Sequence, residues 1–303
     1  MSSGTSTSTP TAAPYAFVES GQVLGPREIG APPRADTGTA DVSAIGLPDG
    51  RIRLYFGLLD GSGGLGKIGS AISSDAIHFT VEPGLRQPTH RGAQDGFASP
   101  FVFQLPGGGY RLFYTGGGGI SSETSADGLT FTRDPGLRLA ENALAPLVTQ
   151  QGQPVCSAIV KLAERRYRMY CSQEVQAGAS SGNTIGTRAI FSAVSSDLLI
   201  WTPEPGIRIG PGAPSLIEDA AHPTAIANTD GSVALIYYRY PVGGPEPQEM
   251  ISISKDGLAF SSEADTGIRG TEPSLLRRTD GSLLVYYGEQ TPADGSTIWL
   301  ARG

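Results

Sequence analysis

One short phrase occurs four times in this sequence, and its periodicity restricts the fold more than any other feature. The copies begin at Ser73, Ser125, Ser195 and Ser254 and read SSDAIHFTVEPGLRQ, SADGLTFTRDPGLRL, SSDLLIWTPEPGIRI and SKDGLAFSSEADTGIR. The Ser and Asp side chains at the start of each copy can hydrogen-bond the backbone amides of a tight turn. The phrase therefore predicts four turns of one kind, each followed by a short strand.

A second motif consists of an apolar strand, a tight turn and a strand that ends in aromatic residues. Its five copies span residues 47–57, 105–116, 162–172, 228–239 and 278–288. Three of them contain Asp-Gly, a strong hairpin signal because glycine fits the positive φ that the turn needs. The turns recur at intervals of about 50–66 residues, which is typical of four-stranded propeller blades.

Five hairpins but only four phrases indicate that the last unit lacks its fourth strand. We therefore predict an all-β chain that folds as a single five-bladed β-propeller of four-stranded blades. An N-terminal strand completes the last blade and removes an exposed edge, because residues 14–25 pair with residues 296–302. The predicted boundaries are a flexible tail at 1–13 and a propeller at 14–303, with blades at about 39–88, 94–140, 151–210, 218–268, and 270–303 plus 14–25.

Composition excludes several classes of partner. The formal net charge is −7, and no basic stretch of the kind that binds nucleic acid is present. No apolar run approaches the ~18 residues of a membrane span. The first residues lack the basic and apolar regions of a secretory signal, so we expect a cytoplasmic protein that binds neither nucleic acid nor membrane.

The candidate site lies where the first strands of the blades begin. Aligning the hairpin turns places five residues in one column around the axis: Asp41, Ala98, Cys156, His222 and Glu272. Polar clusters of this kind mark functional sites. The predicted catalytic residues are Asp41, Asp95, His222 and Glu272. The predicted substrate-binding residues are Tyr114, Cys156, Tyr238, Arg239, Tyr287 and Glu289.

Cys156 and Cys171 fall nearly opposite each other on one hairpin. They can be small buried hydrophobic residues, a cross-strand disulfide, or, for Cys156 with His222, a nucleophile and its base. No cofactor is expected, although a single Ca²⁺ or other divalent ion in the channel remains an alternative because Ca²⁺ prefers oxygen ligands.

The hairpins, the SxDGLxFT phrase and the chain length resemble the five-bladed propeller glycosidases, which include arabinanases, xylosidases and invertases. The turn itself resembles the Asp-box of sialidases. The resemblance implies a base in blade one, which Asp41 matches, and an orienting Asp in blade two, which Asp95 matches. It also implies an acidic Glu in blade three, where the sequence offers only Cys156 and, further on, Glu174 in a loop.

Three functions are consistent with these patterns. The first is a glycoside hydrolase-like enzyme that acts on a small sugar or sugar-like polar substrate in the central funnel. The second is a lyase, cyclase or other hydrolase that uses Asp, His and Glu on the same scaffold. The third is a non-catalytic binding propeller. For an enzyme, we expect carboxyl groups this close to raise the pKa of at least one of them, which would then hold a proton near neutrality.

Overall fold

The structure is a computed structural model that describes residues 15–61, 67–86, 98–141, 143–144, 154–176, 187–210, 220–240, 246–260, 263–291 and 293–303. These residues form 21 short strands. No helix occurs in these ranges, so the all-β expectation is confirmed. The predicted tail at 1–13 lies outside them.

The strands form five consecutive antiparallel units of similar design. Unit one contains β2 (Thr37–Gly46), β3 (Ile52–Asp60), β4 (Ile68–Ser73) and β5 (Thr80–Val81). Unit two contains β6 (Ala98–Gln104), β7 (Tyr110–Thr115), β8 (Gly119–Ser125), β9 (Thr132–Arg133) and β10 (Leu139–Ala140). Unit three contains β11 (Val155–Ala163), β12 (Arg166–Gln176), β13 (Thr187–Ser195) and β14 (Thr202–Pro203). Unit four contains β15 (Ala221–Ala227), β16 (Val233–Arg239), β17 (Gln248–Ser254) and β18 (Ala264–Asp265). Unit five contains β19 (Thr271–Arg277), β20 (Leu283–Thr291), β21 (Gly295–Arg302) and β1 (Val18–Leu24).

The N-terminal strand belongs to the last unit. Strand β1 pairs antiparallel with β21, from Val18 opposite Arg302 to Leu24 opposite Ile298. This is the pairing that we predicted from the absence of a fifth phrase. Units five and one also join through one parallel pair, Gly38 with Ser296.

The repeated phrase forms the turn that joins the third and fourth strands. In the turn after Ser125, the Asp127 Oδ1 atom accepts the backbone N–H groups of Leu129 and Thr130 at 2.8 and 3.0 Å, and Ser125 donates to the same oxygen. The other three copies repeat this pattern. The phrase is therefore part of the scaffold, as its repetition predicts.

Side chains of one unit hold the turn of the next. Tyr55 of unit one donates to the carbonyl of Gly128, and Tyr170 of unit three donates to that of Gly257. Arg53 and Arg168 accompany them and bond the carbonyls of the residues before those glycines. Buried apolar clusters fill the remaining space between neighbouring units.

The first strands of the five units contact one another in cyclic order. Hydroxyl groups link several of them: Ser43 accepts from Val102 N at 3.0 Å, Ser274 from Ala44 N at 2.8 Å, and Thr224 from Leu275 N at 2.9 Å. This arrangement brings the beginnings of strands that are far apart in sequence to one place.

Candidate active site

The first strand begins with a β-bulge in every unit. In four units the first bulged residue has a positive φ although it is not glycine. The values are +52° at Asp41, +55° at Ser99, +46° at His222 and +57° at Glu272. A non-glycine residue in this region costs about 1–3 kcal/mol, and such residues concentrate at functional sites. The bulges re-aim these four side chains, and the strain is concentrated at one end of the first strands.

Three of these side chains form what we call the Asp41 cluster: Asp41, His222 and Glu272. Each offers one ligand atom, and the three atoms lie within 4.8 Å of one another. Asp41 N donates to Glu272 Oε2 at 2.6 Å. His222 Nδ1 lies 3.6 Å from Asp41 Oδ1, somewhat too far for a good hydrogen bond. The predicted column thus brings units one, four and five together.

Ser99 completes the arrangement and was missed in the sequence, where Ala98 was placed in the column. Ser99 donates its backbone N–H to Asp41 Oδ2 at 3.0 Å and its hydroxyl to Asp41 Oδ1 at 3.2 Å. The Gly-rich turn of unit two explains the error. In unit one the N–H of Gly50 donates to Leu47 O, and in unit two the N–H of Gly108, not of Gly107, donates to Leu105 O. The alignment of the two hairpins therefore moves by one residue and places Ser99, not Ala98, opposite Asp41.

Burial and repulsion set the protonation of the cluster. Burial and the nearby Asp41 charge raise the pKa of Glu272 to about 8, so its carboxyl holds a proton at neutral pH. Burial lowers the pKa of His222 to about 4, and the imidazole is neutral at neutral pH even though Asp41 acts in the opposite direction. A protonated carboxyl and a neutral imidazole therefore stand beside an Asp41 side chain that accepts two hydrogen bonds.

Unit three contributes a cation that no sequence motif indicated. The charge of Arg188 on β13 lowers the pKa of both His222 and Glu272. Its Cα partner across the sheet is Glu174 on β12. The sequence placed Glu174 in a loop, whereas it lies in a strand opposite Arg188.

Cys156 holds the place in unit three that Asp41, Ser99, His222 and Glu272 hold in the others. It forms a disulfide with Cys171, its direct cross-strand partner. Of the three alternatives for this pair, the structure shows the disulfide, and Cys156 carries no free thiol. The nucleophile hypothesis is therefore wrong for this form of the protein, and a small pocket beside the cluster is lined instead by the neighbouring Ser157.

Among the expected substrate-binding aromatics, Tyr238 lies at the Asp41 cluster. Its ring centroid is 5.4 Å from that of His222, and the two planes are inclined by 31°. Tyr114 is buried between units one and two, where it donates to Glu123 at 3.2 Å. Tyr287 donates to Glu19 at 2.8 Å.

The two charged residues expected to bind substrate also have scaffold contacts. Arg239 pairs with Glu263, with Nε 2.9 Å from Oε2, and its guanidinium lies over the Tyr237 ring. Glu289 follows Tyr287 on β20, and burial together with Glu19 and Glu246 raises its pKa. Neither residue lines the small pocket at the Asp41 cluster. Asp95, the remaining predicted catalytic residue, lies outside the described residues.

A larger cavity of about 480 Å³ lies at the opposite ends of the first strands. It is lined mainly by apolar residues such as Ile45, Phe101 and Leu275, and no described carboxylate faces it. Among the described residues, the carboxylates of the two cavities therefore lie at the end that carries the Asp41 cluster. The three ligand atoms of that cluster are also close enough to bind one divalent cation.

Solved structures share this fold. A glycosyl hydrolase from Bacteroides ovatus matches with a TM-score of 0.65 and 18% identity, covering 92% of this chain and 90% of that chain. A thermostable family-43 glycoside hydrolase matches with a TM-score of 0.61 and 16% identity, covering 89% and 90%. A structure from work on glycoside hydrolases of the GH130 family that target β-1,2 mannosidic linkages in Candida mannan matches with a TM-score of 0.66 and 19% identity, covering 97% and 96%.

No protein-family model and no curated protein sequence matches the chain. The matches to solved glycoside hydrolases nevertheless confirm, at the level of the fold, the expected resemblance to the propeller glycosidases. Within the described residues, no helix combines the length and apolarity needed to cross a membrane.

Proposed function

We propose that the chain is a carbohydrate-active, glycoside hydrolase-like enzyme that acts on a small sugar or sugar-like polar substrate at the Asp41 cluster. The observation that carries this proposal is the contact of Glu272 with Asp41 at two bulges of positive φ, where burial and the Asp41 charge raise the pKa of Glu272. An acid and a base held side by side are what glycosidic cleavage needs. The fold shared with several glycoside hydrolases supports the same assignment.

We further propose that the five units are the blades of one five-bladed β-propeller over residues 14–303, and that its central funnel opens at the Asp41 cluster. The cyclic contacts of the first strands and the pairing of β1 with β21 support this arrangement. Asp95, three residues before Ala98, is proposed to reach the same funnel.

In the proposed reaction Glu272 is the acid. It gives its proton to the leaving oxygen as the bond from the sugar carbon to that oxygen breaks. Asp41 attacks the same carbon and forms a glycosyl–enzyme bond as the leaving oxygen departs. The ionised Glu272 then takes a proton from water, whose oxygen displaces Asp41 from the carbon, so that both carboxyls return to their starting states, while the neutral His222 faces Asp41. The Asp41 and Glu272 oxygens lie within 4.8 Å. This upper bound lies below the ~6.5–9.5 Å of inverting pairs, which hold a water between the two carboxyls, so we expect retention of configuration.

A second candidate is favoured by unit three, where a disulfide stands in place of the acidic Glu that the resemblance implies. With both carboxyls on one side of the ring of strands, the cluster also fits a lyase, a cyclase or a non-glycosidic hydrolase. These enzymes need acid–base chemistry at one substrate atom and no carboxylate on the far side. A non-catalytic sugar-binding protein is the remaining candidate.

A panel of aryl glycosides and oligosaccharides, followed by NMR of the released sugar, tests the first candidate. We expect Asp41→Asn, His222→Asn and Glu272→Gln each to lose at least about a hundredfold in turnover. Asp49→Asn, in the exposed hairpin turn of the same unit, is the matched control and should keep full activity. Full activity in all three cluster variants would place the chemistry elsewhere, and an inverted product would mean that Asp41 and Glu272 are not the working pair.

We infer that the protein resides where disulfides persist. Structural disulfides are rare in reducing cytosol. The bond between Cys156 and Cys171 therefore favours an oxidising compartment over the cytoplasmic location expected from the sequence. Thiol labelling of the protein isolated from its native cells tests this inference, because a cytoplasmic protein would present two reduced thiols after denaturation.

A further inference from the structure

Unit four departs from the other units in one row of paired residues. The row takes one residue from each of the first three strands of a unit. Its first-strand member lies two residues before the last bulged residue. Its third-strand member is a buried isoleucine in four units: Ile68, Ile120, Ile190 and Ile298. Its second-strand member is small in the same four units: Gly57, Thr115, Ser172 and Gly288. In unit four the two positions hold Glu249 and Tyr238.

Glu249 has an environment suited to an isoleucine. Its side chain is fully buried, and neither carboxyl oxygen has a hydrogen-bond partner among the described residues. Burial raises the pKa of its carboxyl well above the usual range. A buried polar group without a partner costs stability that an isoleucine would not cost. Packing therefore does not account for a carboxyl at this position.

Tyr238 connects Glu249 to the Asp41 cluster. Directly opposed residues in an antiparallel pair have Cβ atoms about 4.5–5.5 Å apart, so Glu249 and Tyr238 are side-chain neighbours. On its other side the Tyr238 ring lies against His222, and Tyr240 meets it edge-on with centroids 5.5 Å apart. A small residue at 238, as in the other units, would leave the His222 ring without this neighbour.

We propose that Glu249 is a positioning residue that fixes Tyr238 and, through it, the His222 imidazole facing Asp41. The proposal rests on the proposed function for its catalytic meaning, but the geometry that it describes does not depend on any substrate. The polar surface of the Glu249 carboxyl restricts the Tyr238 ring in a way that an isoleucine would not.

Three variants test this role: Glu249→Gln, Glu249→Ile and, as the matched control in the same row of unit five, Ile298→Val. The first readout is the imidazole NMR signal of His222 at a fixed pH. The chain has three histidines, so His222→Asn identifies that signal. We expect Glu249→Ile to shift it, and Glu249→Gln and Ile298→Val to leave it close to that of the unmodified protein.

The second readout is thermal stability, and the third is turnover on any substrate that the protein proves to cleave. We expect Glu249→Ile to raise the unfolding midpoint by about 2–4 °C or more while turnover falls at least about tenfold. Glu249→Gln should keep turnover within about threefold.

Two results would overturn the proposal. One is a stabilised Glu249→Ile protein with an unchanged His222 signal. The other is a Glu249→Gln protein that perturbs the signal as strongly as Glu249→Ile, because the neutral amide keeps both shape and polarity. If no cleaved substrate is found, the proposed function fails, and the NMR signal still decides the role of Glu249.

Discussion

Proton occupancy at the Asp41 cluster sets the pH range in which it can work. Glu272, with a pKa of about 8, can act as an acid only below that value. We expect activity to fall as pH rises through about 8, and the Glu272→Gln variant to lose both turnover and this alkaline limb. A pH–rate profile of the two proteins checks the assignment. An alkaline limb that persists in Glu272→Gln would mean that another group supplies the proton.

The same carboxyl affects stability in a direction that its raised pKa determines. The unfolded carboxyl titrates near pH 4.3, so the folded state binds more protons than the unfolded state from about pH 4.3 to 8. His222, with a folded pKa of about 4, acts in the opposite sense only below about pH 6.5. Between pH 6.5 and 8, we therefore expect Glu272 to lower the free energy of unfolding by about 1.4 kcal/mol per pH unit.

Denaturant unfolding at several pH values measures this slope. Glu272→Gln should remove that part of it, and Glu249→Gln should reduce the remainder because burial raises the pKa of that carboxyl in the same direction. A slope that is unchanged in Glu272→Gln would contradict the protonated state of Glu272 in the folded protein.

Single residues also mark the limit of what the sequence could reveal about the site. Asp41, His222 and Glu272 were found because each follows the hairpin spacing, and that spacing survives in the fold. Ser99 was missed by one position because a run of glycines hides which one makes the turn. Arg188 and Glu249 could not be found, because only the packing of strands far apart in sequence brings them to the cluster or leaves a carboxyl without a partner.

Two of the four repeated turns have glycine, Gly128 or Gly257, at a position of positive φ that Ala76 and Leu198 occupy in the other two. Gly257 has a φ of +70°, and a Cβ there would lie 2.5 Å from Arg168 Nη1 and 2.6 Å from the Tyr170 hydroxyl oxygen. We expect Gly257→Ala to lower the free energy of unfolding by about 2–4 kcal/mol, through backbone strain and crowding together. Gly231→Ala is the control, because Gly231 has a φ of +84° and no atom within 4 Å of its added Cβ. Its loss should be only the ~1–2 kcal/mol of strain.

If both glycine variants lost the same free energy of unfolding, the contacts of Arg168 and Tyr170 with the turn would not restrict the side chain at position 257. The sequence predicted these turns well, since Ser and Asp at fixed offsets act locally. It did not predict that in units one and three a Tyr and an Arg of the second strand hold the next unit's turn, because those contacts join residues more than 70 positions apart.

For the whole molecule, we expect the disulfide of unit three to contribute to stability. Its cysteines are 15 residues apart, and a loop of this size is worth about 3 kcal/mol of unfolding free energy. We expect the double variant Cys156→Ser, Cys171→Ser to lose about that amount while turnover stays within a few-fold. If the double variant folds but is inactive, Cys156 has a role in the reaction.

The closing strand gives a second test at this scale. Removing residues 1–25 deletes β1 and exposes the edge of β21, so we expect the truncated chain to lose cooperative unfolding or to aggregate. Removing residues 1–12 leaves β1 intact and should not change the unfolding midpoint. Thermal unfolding followed by circular dichroism compares the two. A stable, monomeric 26–303 fragment would show that β1 is dispensable.

The pairing of β1 with β21 also has a consequence for biosynthesis. Roughly 270 residues separate Leu24 from Gly295. At about 5–20 residues per second, the ribosome needs roughly 15–50 s to supply the partner of the strand that it made near the start. During that interval the nascent chain carries an unsatisfied edge strand, and unit five forms only after synthesis of the last strand. Of the described strands, β1 precedes all others in sequence and is thus among the last to be placed.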